Sequence, residues 1–380
     1  MLLSPNQPRL WDAPIDVTEV QTPAYIYSVD EVGRRLRALK DALRTTVIVS
    51  LKACPVQDIV SRIPSDLWDG VEVASRGELH MLAGLRSRHL YVNTPALTES
   101  LARSALGAQA TFIIDSPAHL ALIQRLRGRR EVQPVMLRLS NRLVNAHDRD
   151  APTLRHDQFG MDFKQACEAI DLARSLDIRV RGFHLYAGPH TFGRASRFVV
   201  DAAVSLLGRL ESHAGFRFQT VNLGGGLEET WSEKGYDFAA YRRELARFPA
   251  HIELVHEFGR AIFATAGCFA VRVLFAKSID GQRYAVCDGG MAQAFLLAQT
   301  ENILRKYRTP RIFGPVRQSA SGKEKTIICG STCSRDDVIG ETFETVEDGD
   351  VLLFDLCGAY FRSYAMNSFL QLGEANVYVV

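Results

Sequence analysis

Between residues 24 and 265 the chain repeatedly sets a short apolar run ahead of a longer amphipathic segment, and this alternation restricts the possible folds more than any other feature. "TTVIVSLKA" precedes "CPVQDIVSRI", "HLYVNTP" precedes "ALTESLARSAL", and "TFIID" precedes "SPAHLALIQRLRG". The order continues through "PVMLRLS", through "RVRGFHLYAG" with "ASRFVVDAAVSLLGRLESHAG", and then "FQTVNLGGG" and "HIELVHEFGR". Short β-branched runs joined by helices make βα units, and about eight of them predict a closed parallel (β/α)8 barrel. Ser and Thr in "SPAHL" and "TPALTESL" stand where helix caps belong. Beyond residue 266 the rhythm turns to strands with few helices: "GCFAVRVLFAKSI", "QRYAVCDGG", "KTIICG", "DVLLFDLCGAY" and "NVYVV". The expected α/β architecture is therefore a barrel over 24–265, opening at "AYIYSVDEV", and an all-β sandwich- or barrel-like domain built from 1–23 and 266–380.

A chain of 380 residues with 47% hydrophobic content has material for two cores, since a single core stops growing near roughly 250–300 residues. The charges nearly cancel at +2, and Lys and Arg are scattered, which argues against nucleic acid or an anionic membrane as partner. A small molecule is the expected ligand. The opening "MLLSPNQPRLWDAPID" has prolines and acids where a signal peptide needs a basic start and an apolar run, so a cytoplasmic location is expected. Seven cysteines without CxxC spacing, several inside apolar runs, read as reduced buried thiols, and no metal site is expected.

In such barrels the chemistry sits at the C-terminal ends of the strands. Lys52 ends "TTVIVSLKA", and is either an amine nucleophile in a partly dry mouth or a snorkelling surface lysine. The glycines Gly224, Gly225 and Gly226 of "NLGGG" either cradle an anion with backbone N–H groups or make an ordinary tight turn. With Arg260 of "EFGR" as a guanidinium fork, they suit a phosphate. A lysine, a phosphate cradle and the acid Glu257 at one mouth are the parts that hold pyridoxal phosphate, with Glu257 on the pyridine nitrogen.

At this point the chain resembles the fold type III pyridoxal-phosphate amino-acid decarboxylases, which include the ornithine, diaminopimelate and arginine enzymes. "SLKACP", "GVEVASRGEL", "QFGM", "GFHLYAG", "VNLGGG", "EFGR", "CDGGM", "GSTCSRDDVIG" and "DLCGAYFRSYAMNSF" are similar to that family's segments in the same order, across essentially the whole chain. The resemblance implies that Lys52 forms the Schiff base and that Glu72, Arg138, His184 and Tyr186 surround the cofactor ring. It also implies that Gly224–Gly226, Gly259 and Arg260 serve the phosphate. For Glu72 and Arg138 a plain salt bridge is the competing reading. The resemblance further implies a homodimer, in which Cys333 protonates the substrate carbon in the neighbouring subunit's site and Tyr360 reaches that site's phosphate.

Three departures bear on the substrate. Ornithine and lysine enzymes carry an acid after the cysteine, whereas this chain has Ser334 and then Arg335. A hydroxyl cannot neutralise a distal ammonium, so a conjugate with a distal carboxylate or amide is expected instead. Asp336 and Asp337 keep a free basic amino acid open as the alternative. Tyr186 and Pro189 replace the family's histidine and serine in "HxHxGS", and Phe258 replaces its proline in "EFGR". Tyr186 in the histidine's place, with "CDGGMAQAFLLAQ", resembles the branch that decarboxylates larger antibiotic or siderophore intermediates, including glutamyl groups on an acyl-carrier protein. Ser334, Arg335 and Asp288 form the expected substrate-contacting set. A racemase and an inactive regulator of the same fold are the other readings.

Overall fold

The computed structural model describes residues 15–380 except 68, 85–87, 301, 303 and 315–323; the expectations placed on residues 1–14 lie outside the described residues. The first strand, β1 (Ala24–Tyr27), precedes eight parallel ones: β2 (Thr46–Ser50), β3 (Gly70–Val73), β4 (His89–Asn93), β5 (Thr111–Ile114), β6 (Val135–Leu139), β7 (Val180–Leu185), β8 (Thr220–Asn222) and β9 (Glu253–Phe258). Strands β2 to β9 pair in chain order, and β9 returns to β2 to close the barrel. Side chains on a strand alternate with period two, so Ile48, Tyr91, Ile113, Met136 and Val255 meet in one buried cluster inside it. The inward positions one period further along, Ser50, Asn93, Arg138 and Glu257, are polar. An apolar floor thus carries a polar ring at the C-terminal ends of the strands.

Helices cover the outside, and their starts follow local chemistry. Thr98 accepts from Leu101 N and Ser116 from Ala118 N, as their places before a helix predict; such caps contribute about 1 kcal/mol each. Asp162 and Gln165 form a reciprocal capping box ahead of Phe163–Ser175. The 23-residue helix Phe192–Ala214 buries Val199, Ala203, Leu206 and Leu210 along one stripe.

Of the outward-facing residues on β9, His256 is buried, with Nδ1 2.9 Å from Thr45 Oγ1 and Nε2 2.9 Å from the Tyr241 hydroxyl. Burial pushes this imidazole down to about 3, against about 6.5 in an unfolded chain. The unfolded state then binds a proton that the fold refuses, so this contribution is complete above pH ~6.5 and is lost progressively as pH falls towards 3. His256→Gln is expected to flatten the decline of the urea midpoint between pH 7 and 4.5. A decline as steep as the parent's would show that His256 takes up its proton within the fold.

The remaining strands are β10 (Gly267–Ile279), β11 (Gln282–Cys287), β12 (Arg311–Phe313), β13 (Thr326–Cys329), β14 (Val338–Thr342), β15 (Val351–Phe354) and β16 (Asn376–Val379). They form a mixed sheet in the order β12-β15-β10-β11-β13-β14, to which β1 and β16 add. Here the structure corrects the expected start of the barrel. β1 lies antiparallel to β10, with Ala24 opposite Ala270, and parallel to β16. Its Ala24 and Ile26 share a core with Val17, Val20, Cys268, Ala270, Val351 and Leu353. "AYIY" has the composition of a barrel strand, but its hydrogen-bond partners lie far along the chain, at Gly267–Ala270 and Asn376–Val379. By contact, the chain divides into Gly33–Ile262 and a β unit that joins the described residues up to Val32 with Phe263–Val380. None of the seven cysteines is in a disulfide; four are buried and Cys333 is exposed. Among the described residues there is no helix long and apolar enough to cross a membrane, and no His/Cys/Asp/Glu cluster suited to a metal.

Candidate active site

The strand registers set the polar ring side by side. Ser50 pairs with Glu72, Arg138 with His184, and His184 with Asn222. Lys52 follows β2 on the short helical turn Leu51–Ala53. Its Nζ donates to both oxygens of Glu72, at 3.0 Å each, and Ser50 Oγ donates to the same carboxylate. Glu72 is 1% exposed and Lys52 45%, so a buried charge meets its partner at the edge of solvent, where the amine is accessible. Gly259 permits this turn: a Cβ there would lie 2.5 Å from Ala53 Cβ. The missing side chain of Gly259 is what lets the two segments pack this closely beside Lys52.

Glu257 stands at the end of β9, between His184 and Asn222. Its Oε1 accepts from Asn222 Nδ2 at 2.7 Å, and its Oε2 is 3.2 Å from His184 Nε2. Asn222 Oδ1 in turn accepts from Gly224 N at 2.9 Å. Burial alone would raise the carboxyl, but His184, Lys52 and the Asn222 amide outweigh it and hold Glu257 below the usual carboxylate range. The group is an anion at neutral pH, as a partner for a protonated ring nitrogen must be. Nδ1 of His184 is buried with no hydrogen-bond partner among the described residues, and the ring of Tyr186 stacks on this imidazole with centroids 6.5 Å apart.

The third network holds Arg138, whose Nη1 is 3.3 Å from Asn93 Oδ1 and 3.4 Å from Asp115 Oδ2. The guanidinium also lies 4.3 Å from the Phe159 ring centroid, and Asp115 Oδ1 accepts from Gly160 N at 2.6 Å. "QFGM" is thereby tied to the barrel mouth through Asp115. The salt bridges weighed for Glu72 and Arg138 are both present, with Lys52 and Asp115 as partners.

These residues fit pyridoxal phosphate. Gly224 and Gly226 have φ of +64° and +92°, and a Cβ on Gly225 would meet Glu257 O at 2.0 Å. The loop is therefore bare backbone beside an accessible amine and a buried carboxylate. Arg260 is nearby, with Nη1 donating to Glu229 Oε1 at 2.8 Å.

The other expected residues lie in the β unit. The loop Gly330–Asp337 folds around Asp337, whose Oδ1 accepts from Met291 N at 2.7 Å and Oδ2 from Thr332 N at 2.9 Å. Ser334 Oγ accepts from Asp336 N at 3.2 Å, and Asp336 Oδ1 pairs with Arg305 at 2.9 Å. Cys333 and Arg335 point outward and are exposed. Asp288 accepts from the Thr22 hydroxyl at 2.5 Å and from Arg272 N at 2.8 Å. It ties the segment before β1 to β10. Tyr360 has φ +71°, a conformation that is costly for an aromatic residue and concentrates at functional positions.

Ser50, Asn93, Asp115, Asn222 and Glu229 were not among the expected site residues. The first four end barrel strands or immediately follow them, so the same terminal rule that selected Lys52 and Glu257 reaches them. Glu229 has no comparable signal.

A parallel barrel with an amine, a buried carboxylate and a glycine cradle at one mouth defines a pyridoxal-phosphate enzyme of the barrel type. The profile of the pyridoxal-dependent decarboxylase family, pyridoxal binding domain, matches residues 29–264. The diaminopimelate decarboxylase of Haemophilus influenzae is 26% identical, covering 94% of this chain and 88% of its own. The L-glutamyl-[BtrI acyl-carrier protein] decarboxylase of Niallia circulans is 25% identical, covering 92% and 86%. The arginine decarboxylase of Paramecium bursaria Chlorella virus shares the fold, with a TM-score of 0.81 over 95% of this chain and 96% of its own at 19% identity. The chain belongs to the pyridoxal-dependent decarboxylase family, and its cofactor is pyridoxal phosphate.

Proposed function

We propose that this decarboxylase acts on an amino-acid conjugate that has no free distal ammonium, such as a glutamyl group on a carrier protein or a comparable biosynthetic intermediate. The observation that carries this reading is the loop Gly330–Asp337. Both of its carboxylates are committed to donors of the same unit, and Ser334 is committed to Asp336 N. A distal ammonium arriving here would compete with Arg305 for Asp336 and with two backbone N–H groups for Asp337, and a charge left without a partner costs several kcal/mol. Arg335, which has no partner among the described residues, offers donors to a carboxylate or carbonyl. The similarity to a carrier-linked glutamyl decarboxylase supports the same substrate class. Free diaminopimelate is the second reading, favoured because its distal carboxylate suits Arg335 and because the Haemophilus influenzae relative is named for it.

In this reading Lys52 would hold the cofactor aldehyde through its amine, whose position Glu72 fixes, itself held by Ser50. Glu257 would pair with the ring nitrogen, Tyr186 would contact the ring, and the backbone of Gly224–Gly226 with Arg260 would hold the phosphate. When bound, the cofactor supplies an electron sink for the pair left on the α-carbon as carbon dioxide departs. Cys333 of a second copy would return the proton to that carbon and Tyr360 of the same copy would reach the phosphate, which calls for a dimer. A racemase needs a second base opposite the lysine, and no such role is assigned to Tyr360. An inactive regulator would have no use for keeping both Lys52 and Cys333.

The test is carbon dioxide release by the cofactor-loaded protein on free lysine, ornithine, arginine and diaminopimelate, against carrier-linked glutamate and acylated diamino acids. The conjugates are expected to turn over best, and Arg335→Ala to lower kcat/KM for them by about 10- to 100-fold, chiefly through KM, as loss of a charge-assisted hydrogen bond does. Comparable turnover of free lysine or ornithine would overturn the reading. Turnover confined to diaminopimelate would select the second.

A further inference from the structure

Beyond the glycine cradle, the chain places a carboxylate where a phosphate is to be gripped. Glu229 Oε1 accepts from Arg260 Nη1 at 2.8 Å, and Glu229 Oε2 lies 3.8 Å from His190 Nδ1. The three residues come from the loops after β7, β8 and β9. His190 follows Pro189 in a left-handed conformation, with φ +55°, and Phe192 N donates to Gly226 O at 3.1 Å, which joins the first two loops.

Glu229 is held in place by a built network and is not a mobile surface acid. The buried Arg35 donates from Nη2 to Glu229 O at 2.9 Å, from Nη1 to Ser232 Oγ at 2.8 Å and from Nε to Ala261 O at 3.1 Å. Its guanidinium lies 4.7 Å from the centroid of Trp231, whose indole N–H donates to Ala261 O at 3.0 Å. The segment carrying Glu229 is thus fastened to the residue directly after Arg260. Burial pushes the Glu229 carboxyl up, but its backbone hydrogen bond, Arg260 and His190 outweigh this and keep it below the usual carboxylate range. The group is charged at neutral pH.

We propose that Glu229 is a resident counter-charge that competes with the cofactor phosphate for Arg260, and so keeps affinity for the phosphate below what the glycine cradle and the guanidinium alone would give. The proposal rests on the reading that Gly224–Gly226 and Arg260 receive the phosphate. A phosphate entering this end comes within a few ångströms of a fixed carboxylate, and two like charges at that spacing repel appreciably even with partial solvent screening. Arg260 is shared between two anions instead of serving one. Pro189, which removes a hydroxyl and an N–H from the same end, acts in the same direction. Both act on the phosphate end and leave the contacts of Lys52 and Glu257 with the ring untouched.

If Glu229 only orients Arg260, the sign reverses, and that decides the matter. Pyridoxine 5′-phosphate, which lacks the aldehyde needed to link to Lys52, is titrated calorimetrically into the full chain stripped of cofactor, alongside pyridoxine. Glu229→Gln and Glu229→Ala are each expected to tighten pyridoxine 5′-phosphate by about tenfold, the order expected when one partly screened like charge is removed, and to leave pyridoxine unchanged. Unchanged or weaker binding of the phosphorylated ligand by both variants overturns the proposal and makes Glu229 a positioning residue. Arg260→Ala separates the two levels. Weaker phosphate-ligand binding there, without tightening in the Glu229 variants, removes only the counter-charge. No effect of Arg260→Ala removes the phosphate assignment itself.

Discussion

Replacing Lys52 by alanine is expected to abolish the visible absorption of lysine-linked cofactor, to stop borohydride from fixing cofactor to the chain, and to lower carbon dioxide release by several orders of magnitude. The same change leaves Glu72, 1% exposed, without the ammonium that meets both its oxygens at 3.0 Å. A loss of activity in Lys52→Ala alone therefore mixes chemistry with stability, because a buried carboxylate deprived of its partner destabilises the fold. The double variant Lys52→Ala, Glu72→Gln separates the two. It is expected to recover most of the lost thermal midpoint, because the amide has no charge to bury, while regaining no carbon dioxide release. An unchanged absorption spectrum in Lys52→Ala would refute the assignment of Lys52, whatever the activity.

What was legible in the sequence is what local periodicity encodes. The period-two alternation of "TTVIVS", "VMLRLS" and "ELVHEF" places Ser50, Arg138 and Glu257 on the inner face one step beyond Ile48, Met136 and Val255. The rule that barrel chemistry sits at strand ends then selects the mouth, and the caps at Thr98 and Ser116 were readable for the same local reason. Long-range pairing was not readable. "AYIY" fits a barrel strand or an open-sheet strand equally well, and only hydrogen bonds to β10 and β16 decide between them. The partner of Arg260 was hidden likewise, since Glu229 lies 31 residues earlier on a different loop. Asp288 shows a third limit of local reading. Nothing local in "CDGG" shows that its two oxygens accept from the Thr22 hydroxyl and Arg272 N. Asp336 and Asp337 differ in the same way: they are adjacent and identical in the sequence, yet one faces Arg305 and the other is the buried anchor of its loop.

The exposure of Cys333 on a loop that Asp337 and Ser334 anchor through backbone N–H groups leads to the second large expected effect. Cys333→Ala is expected to retain the visible absorption of bound cofactor and to slow product formation on the order of 10²–10⁴-fold, the usual reach of a positioned proton donor. Part of the flux should divert to products protonated elsewhere. The loop itself should survive, because Asp337 and Ser334 hold it through backbone groups that do not involve the thiol. If Cys333 serves the site of a second copy, the Lys52→Ala and Cys333→Ala chains complement each other when mixed. Random reassortment makes half of the dimers mixed, and each mixed dimer has one site with both residues intact, so about a quarter of the parent activity should return. Recovery of that size would establish the shared site without any structure of the complex. No recovery, under conditions where labelled subunits demonstrably exchange, would mean that Lys52 and Cys333 of one chain act together, or that the proton comes from another group. The product profile of Cys333→Ala tells these apart, since only the loss of the true donor changes it.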